Sequence, residues 1–232
     1  LALQKLVAAK PDGLTLMFTG SGSNIQYHSG QTDIDVMDPS KVTIIAPMGG
    51  MKIDSDSVLC TTPDKPFKTW DEFVAYVDAN PGKINYGTSS GTTVEIKGKL
   101  LAEEFGIADK VKMVYASSTE IPVGLLGGSI DVAVVAGRTA VQYLQGGQFV
   151  ALAHFIDDYK GNDAVLKDIP DLTDLGAAHL YSTFPMYTIG PANMDPALVK
   201  KINDAFNDVV KDAEAVDRWD KMMSEYLPKD VK

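Results

Sequence analysis

The residues from Asn80 to Gly106, NPGKINYGTSSGTTVEIKGKLLAEEFG, leave the chain little choice of local structure. Asn80, Pro81 and Gly82 punctuate a turn, Lys83 to Tyr86 read as a short strand, and Gly87 to Gly91 form a loop of small side chains that lets another group approach the backbone. A helix follows at once. Thr92 with Glu95 fits the S/T-x-x-E capping pattern, so the unpaired N–H groups and positive dipole end of that helix face whatever occupies the loop. Strand, small-residue loop and capped helix in succession make an anion site of the kind α/β proteins build.

The same grammar recurs along the chain. A helix is expected over Leu1 to Ala9, a turn at Pro11-Asp12-Gly13, a strand from Leu14 to Phe18 and a small-residue loop from Thr19 to Ser23. Asn24 to Lys41 is polar with weak periodicity. Strands follow at Val42 to Met48 and Ser57 to Thr61. Thr69 with Glu72 caps a helix to Ala79. Beyond the anion-site unit come a strand Lys112 to Tyr115, a helix Ser118 to Leu126 capped by Ser117 and Glu120, a strand Ser129 to Val135, a helix Thr139 to Gln145 and a strand Phe149 to His154. Asp157 to Ala178 is loop-rich, Met186 to Ile189 is a strand, and two helices close the chain. The first of these has Asp195 as N-cap and Pro196 at its first position; the second covers Ala213 to Tyr226. Alternating strand and helix imply parallel sheets with helices on both faces, and ligands in such folds lie beyond the carboxyl ends of the strands.

Bulk properties exclude several functions. At 232 residues, 45% hydrophobic and 22% charged, the chain can form one large domain or two lobes. No apolar run approaches the roughly 20 residues that span a bilayer. The start LALQKLVAAKPDG lacks the features of a signal peptide, so any export signal is expected to have been removed. The formal charge is −10, and Arg138 and Arg218 are the two arginines, with no basic cluster, which argues against nucleic-acid binding. The lone Cys60, beside Val58 and Leu59, reads as a buried small residue. His28, His154 and His179 lack metal-ligand spacing. Asp33, Asp35 and Asp38 lack the glycine and glutamate of a calcium loop. No cofactor or metal is expected.

Four junctions, Thr19 to Ser23, Gly87 to Thr93, Ala116 to Thr119 and Ala136 to Thr139, are rich in Gly, Ser, Thr and Ala. Brought to one edge they would offer hydroxyls, backbone N–H groups and the Arg138 guanidinium, a fork suited to a carboxylate. The alternative is that each hydroxyl caps its own helix and that Arg138 bridges to Asp131 or solvent. Tyr115 either meets a ligand or packs in its strand. Gly87-Thr88-Ser89-Ser90-Gly91 also satisfies G-x-S-x-G, the nucleophile-elbow pattern. A serine hydrolase using Ser89 would draw its acid and base from Asp131 with His154, or Asp171 with His179, neither in recognisable context.

In order, PDGLTLMFTGSGS, ANPGKINYGTSSGTTVEIKGKLLAEEFG, GLLGGSIDVAV, GGQFVALA, DIPDLTDLG and GPANMDPALVKKIN resemble the solute receptors of tripartite tricarboxylate transporters, the Bug-type extracytoplasmic binding proteins, over nearly the whole chain. The resemblance implies a periplasmic-binding-protein-like α/β fold of two lobes with mostly parallel sheets and a hinge cleft. It further implies a monomer that is not an enzyme, sits in the periplasm, closes over a small organic mono- or dicarboxylate and delivers it to membrane subunits of a transporter. Residues 1–61 with 184–232 would form the first lobe and 62–183 the second. Tyr86, Ser89, Ser90, Thr92 and Thr93 match the family's carboxylate loop, and Ser21 and Ser23 its partner in the other lobe, with Ser117 and Arg138 completing the ligand-binding set. Two departures stand out. Family members place an acidic or amide pair where this chain has Val135 and Ala136, and they carry a strand, a ligand loop and a long helix ahead of the segment matching Leu1. A third reading, a two-lobe effector-sensing module, normally adjoins a helix-turn-helix, which this chain does not contain.

Overall fold

The computed structural model describes residues 2–48, 57–156, 165–181, 186–209 and 211–224, with the side chains of all of these except 47, 48, 138 and 219–224. They fall into two compact units, one from residues 2–48 and 186–224, the other from the described residues of 57–181.

Unit 1 contains α1 (Ala2–Val7), β1 (Met17–Gly20), α2 (Gly22–His28), β2 (Val42–Met48), β8 (Met186–Pro191), α7 (Pro196–Val209) and α8 (Ala213–Ser224). Its sheet has the order β1-β8-β2, with β8 antiparallel to both neighbours. Leu6, Val36, Val42, Tyr187 and Ile189 form its core. Asp195 Oδ1 accepts from Ala197 N at 2.7 Å and Leu198 N at 3.2 Å, so α7 begins at Pro196 with its first N–H groups satisfied. Asn203 Nδ2 on α7 donates to the Ile45 carbonyl at 2.8 Å and ties that helix to β2.

Unit 2 contains β3 (Ser57–Thr61), α3 (Trp70–Ala79), β4 (Ile84–Thr88), α4 (Thr93–Glu104), β5 (Val111–Tyr115), α5 (Glu120–Leu126), β6 (Val132–Ala136), α6 (Gly137–Gln145) and β7 (Val150–His154). The sheet order is β5-β4-β6-β3-β7. Helices cover both faces. Leu59, Tyr86, Val132, Val134 and Leu152 face the core formed with Phe67, Trp70, Phe73, Val77 and Leu101. Val58, Cys60, Ala133 and Val135 face the core formed with Ile121, Leu125, Ile130 and Phe149. Alternation along each strand assigns residues to faces, and burial on both sides explains strands with few polar positions. Cys60 is fully buried and burial pushes its thiol pKa up, so it is no nucleophile.

Two expectations change here. The α/β fold stands, but the unit 1 sheet is paired antiparallel and the unit 2 sheet is mixed: β4 is parallel to β5 and β6, whereas β3 runs antiparallel to β6 and β7. In each sheet the antiparallel strand is the first formed after the chain changes units, and a strand entering that way has no crossover helix to make it parallel. Ser57–Thr61, expected in the first lobe, is therefore a central strand of unit 2. The second change is α2, in a region expected to be a loop followed by a polar stretch. Its first turn is held by a hydrogen bond of 2.6 Å between the Thr19 and Ser23 hydroxyls and one from Asn24 Nδ2 to Tyr187 Oη at 3.1 Å, on the distant β8.

Candidate functional site

Three parallel neighbours, β5, β4 and β6, end at the same edge of the unit 2 sheet, and the next helix starts within a few residues of each end. Their junctions are thus brought together by topology alone. They enclose a cleft of about 230 Å³. Ser89 and Thr92 reach it from the β4–α4 junction, Ser118 and Thr119 from β5–α5, and Ala136 and Thr139 from β6–α6; Val94, Ile121, Val134 and Val135 form apolar walls. A lining of hydroxyls over methyl groups suits a ligand with a polar head and an aliphatic body.

The β4–α4 junction is built for approach. Gly91 has φ +71°, a conformation that costs glycine little, and Thr92 is the N-cap, its Oγ1 accepting from Glu95 N at 3.4 Å and donating to the Ser89 carbonyl at 2.6 Å. A Cβ on Gly87 would meet Ile130 Cγ2 at 2.7 Å, so only glycine lets β4 lie this close to the residues under α5. The first-turn N–H groups of Thr93 and Val94 have no acceptor within their own helix. The expected capping box is half formed: Glu95 turns from the N-cap to accept from Gly91 N at 2.7 Å and pairs with Lys99 Nζ at 2.6 Å. Burial raises the Glu95 pKa, but the Lys99 ammonium and the Gly91 N–H outweigh it and hold the carboxyl below its ordinary value.

The residues singled out from sequence separate into groups. Ser89 and Thr92 line the cleft, while Ser90 and Thr93 flank it without being part of its wall. Tyr86 does not reach it: the ring is buried against Gly98 of α4 and burial pushes its phenol pKa up. Ser117 turns to Glu120, donating its hydroxyl to Oε2 at 2.6 Å, so Ser118 and Thr119 line the cleft in its place. The expected Ser117–Glu120 box is half formed: Ser117 N donates to Glu120 Oε2 at 2.9 Å, but the Ser117 hydroxyl caps no N–H, and α5 begins after Thr119. Arg138 lies in the first turn of α6, its side chain outside the described set. Ser21 and Ser23 belong to unit 1, where both are buried. Tyr115 is exposed, with Lys99 Nζ 5.8 Å from its ring centroid.

A residue missed in the sequence is Lys97. It is 4% exposed, on the face of α4 that packs against the sheet, with Nζ 3.5 Å from Ser57 Oγ and 5.7 Å from the Phe155 ring centroid. Its signal was legible: Lys97 stands where the stripe Val94, Gly98, Leu101, Ala102 calls for an apolar or small residue.

The hydrolase constellation is not assembled. Asp131 pairs with Lys65 at 2.7 Å and accepts from Asn85 N at 2.8 Å, tying β4 and β6 to the segment after β3. His154 is buried, its Nδ1 accepting from Ile156 N, and His179 meets Glu104 at 3.1 Å. No histidine is among the residues lining the cleft. Among the described residues no group of three His, Cys, Asp or Glu could hold a metal ion, and no helix is long and apolar enough to cross a membrane.

Residues 1–226 match the family described as the tripartite tricarboxylate transporter family receptor. A UPF0065 protein encoded in the gbd 5' region of Cupriavidus necator is 31% identical over 149 residues, covering 64% of this chain and 44% of the relative. A UPF0065 protein of Bordetella pertussis is 24% identical over 211 residues, covering 88% of this chain and 61% of the relative. The chain therefore spans less than two thirds of either curated relative. MatC from Rhodopseudomonas palustris, solved with bound malate, superimposes with TM-score 0.72 at 20% identity, over 92% of this chain and 70% of that one. Rpa4515 of the same organism, solved with adipate, gives 0.71 at 16% identity over 92% and 69%. These likenesses show a periplasmic-binding-protein-like fold. The chain belongs to the tripartite tricarboxylate transporter receptor family, whose members are substrate-binding receptors and not enzymes.

Proposed function

We propose that this family member is an extracytoplasmic solute receptor whose unit 2 cleft holds a carboxylate of a small organic acid, and that it delivers that acid to the membrane subunits of a tripartite transporter. The observation that carries the reading is the convergence of three strand-to-helix junctions on one cleft, with five hydroxyl-bearing side chains and apolar walls. The oxygens of one carboxylate fit the first-turn N–H groups of α4 with the Ser89 and Thr119 hydroxyls, where backbone dipoles favour negative charge. The aliphatic body fits Val94, Ile121, Val134 and Val135. Malate and adipate, found in the similar structures, have this composition. A periplasmic location and a role for Ser21 and Ser23 rest on the family resemblance.

The test is a thermal-shift and calorimetric screen of mono-, di- and tricarboxylates, aromatic acids, amino acids and sugars. A ligand that binds only the folded state raises apparent stability. Saturable stabilisation by a subset of carboxylates, without turnover, is expected. A cooperatively unfolding protein that responds to no carboxylate, or to sugars alone, would overturn the reading.

A further inference from the structure

Glu95 and Lys99 form an ion pair beside the cleft wall. The Glu95 carboxyl accepts from Gly91 N at 2.7 Å through Oε2 and from Lys99 Nζ at 2.6 Å through Oε1, and its side chain is 12% exposed. Gly91 stands between Ser89 and Thr92, both of which line the cleft. The loop is therefore fastened at two points, by Glu95 at Gly91 N and by the Thr92 hydroxyl at the Ser89 carbonyl. Lys99 Nζ also lies 5.8 Å from the ring centroid of Tyr115, the last residue of β5, whose own junction supplies Ser118 and Thr119 to the cleft.

A capping glutamate does not need such a partner. Glu72 accepts from Lys68 N and Thr69 N at the start of α3, and Glu120 accepts from Ser117 N before α5. Both are exposed, and one turn on they have Tyr76 and Gly124 rather than a lysine. Glu95 differs in being largely withdrawn from water. A carboxylate fixed there secures the loop, but its charge opposes an incoming carboxylate, and less water screens it than at the surface. The Lys99 ammonium is close enough that, from the cleft, the two charges nearly cancel. Resting on the carboxylate reading above, we propose that Glu95 is the positioning residue of the Ser89–Thr92 loop and that Lys99 offsets its charge, so that a loop held by one carboxylate still accepts another.

The experiment measures adipate, malate and hexanoate binding by calorimetry at about 0.05 M and about 0.5 M salt. Wild type is compared with Lys99→Met and with that variant carrying either Glu95→Gln or Glu95→Ala. The Lys99 side chain is 44% exposed, so Lys99→Met leaves the core untouched. Its dissociation constants are expected to rise about 3- to 10-fold at low salt, the scale of one poorly screened charge several ångströms from the ligand, and the gap should narrow at high salt. Adding Glu95→Gln removes the charge and keeps an acceptor for Gly91 N, and should restore binding to within about twofold of wild type; Glu95→Ala removes both and should not. A Lys99→Met variant that binds like wild type, or that Glu95→Gln fails to restore, overturns the charge offset and leaves the carboxylate reading intact. Equal binding with Gln and Ala at position 95 overturns the positioning role. A folded wild type that binds none of the three acids overturns both the reading and the proposal.

Discussion

Thr19–Ser23 in unit 1 and Ser89–Thr93 in unit 2 are written in the same small, hydroxyl-rich residues, yet they end differently. In unit 1 the strand runs on to Gly20 and α2 starts at Gly22, so the Thr19 and Ser23 hydroxyls are buried and spend their hydrogen bond on each other. In unit 2 four residues separate Thr88 from Thr93, two parallel strands end alongside, and Ser89 and Thr92 face a cleft. Composition at a strand-to-helix junction therefore announces a possible donor site; loop length and neighbouring strands decide whether it opens. The sheets reinforce the difference. In unit 1, β1 is flanked by an antiparallel strand, which brings a strand beginning beside its end, whereas β5, β4 and β6 stack their carboxyl ends.

The largest way to break the contrast is to fill the gap beneath the unit 2 junction. Gly87→Val would drive its side chain into Ile130 and Ala133, and overpacking of this kind costs about 1–3 kcal/mol. Urea unfolding should show that loss, accompanied by weaker carboxylate binding. Thr92→Ala removes the cap of α4 and the donor to the Ser89 carbonyl; a loss of about 1 kcal/mol is expected, together with reduced affinity by calorimetry. In unit 1, Ser23→Ala strands the buried Thr19 hydroxyl and should cost about 1 kcal/mol, whereas replacing both partners, Thr19→Val with Ser23→Ala, should recover much of it. A double variant no better than the single one would show that the two hydroxyls do not act as a closed pair.

The smallest effect is in pH dependence. The Glu95 carboxyl is held below its usual 4.5 in the folded protein. Its contribution is thus complete above that value and fades as pH falls through the lower folded one. Glu95→Gln should flatten the acid limb of the stability curve and leave its alkaline limb unchanged, by urea titration across pH.

Local chemistry was the most legible part of this protein in sequence. Thr69 with Glu72 forms the full capping box that opens α3, Asp195 with Pro196 starts α7, and Val42–Met48 and Ser57–Thr61 are strands as expected, because each depends on a few adjacent residues. Features set by distant partners were not. α2 is secured through Tyr187, and β3 takes its place from strands 70 and more residues further along, so neither is visible in a local window. At the cleft, the junctions named from sequence come together, but the lining differs from the named side chains by one or two positions: Ser117 serves Glu120 while Ser118 and Thr119 face the cleft. Lys97 was passed over because lysine is usually an exposed residue, although its place in the helix stripe contradicted that.

The most direct measurement is a backbone amide chemical-shift map of the folded protein titrated with adipate or malate. Large, saturating shifts are predicted at Gly91 to Val94, Ser118, Thr119 and Thr139, in a single binding event. Saturable binding that leaves those amides unmoved would contradict a carboxylate site at the unit 2 junctions.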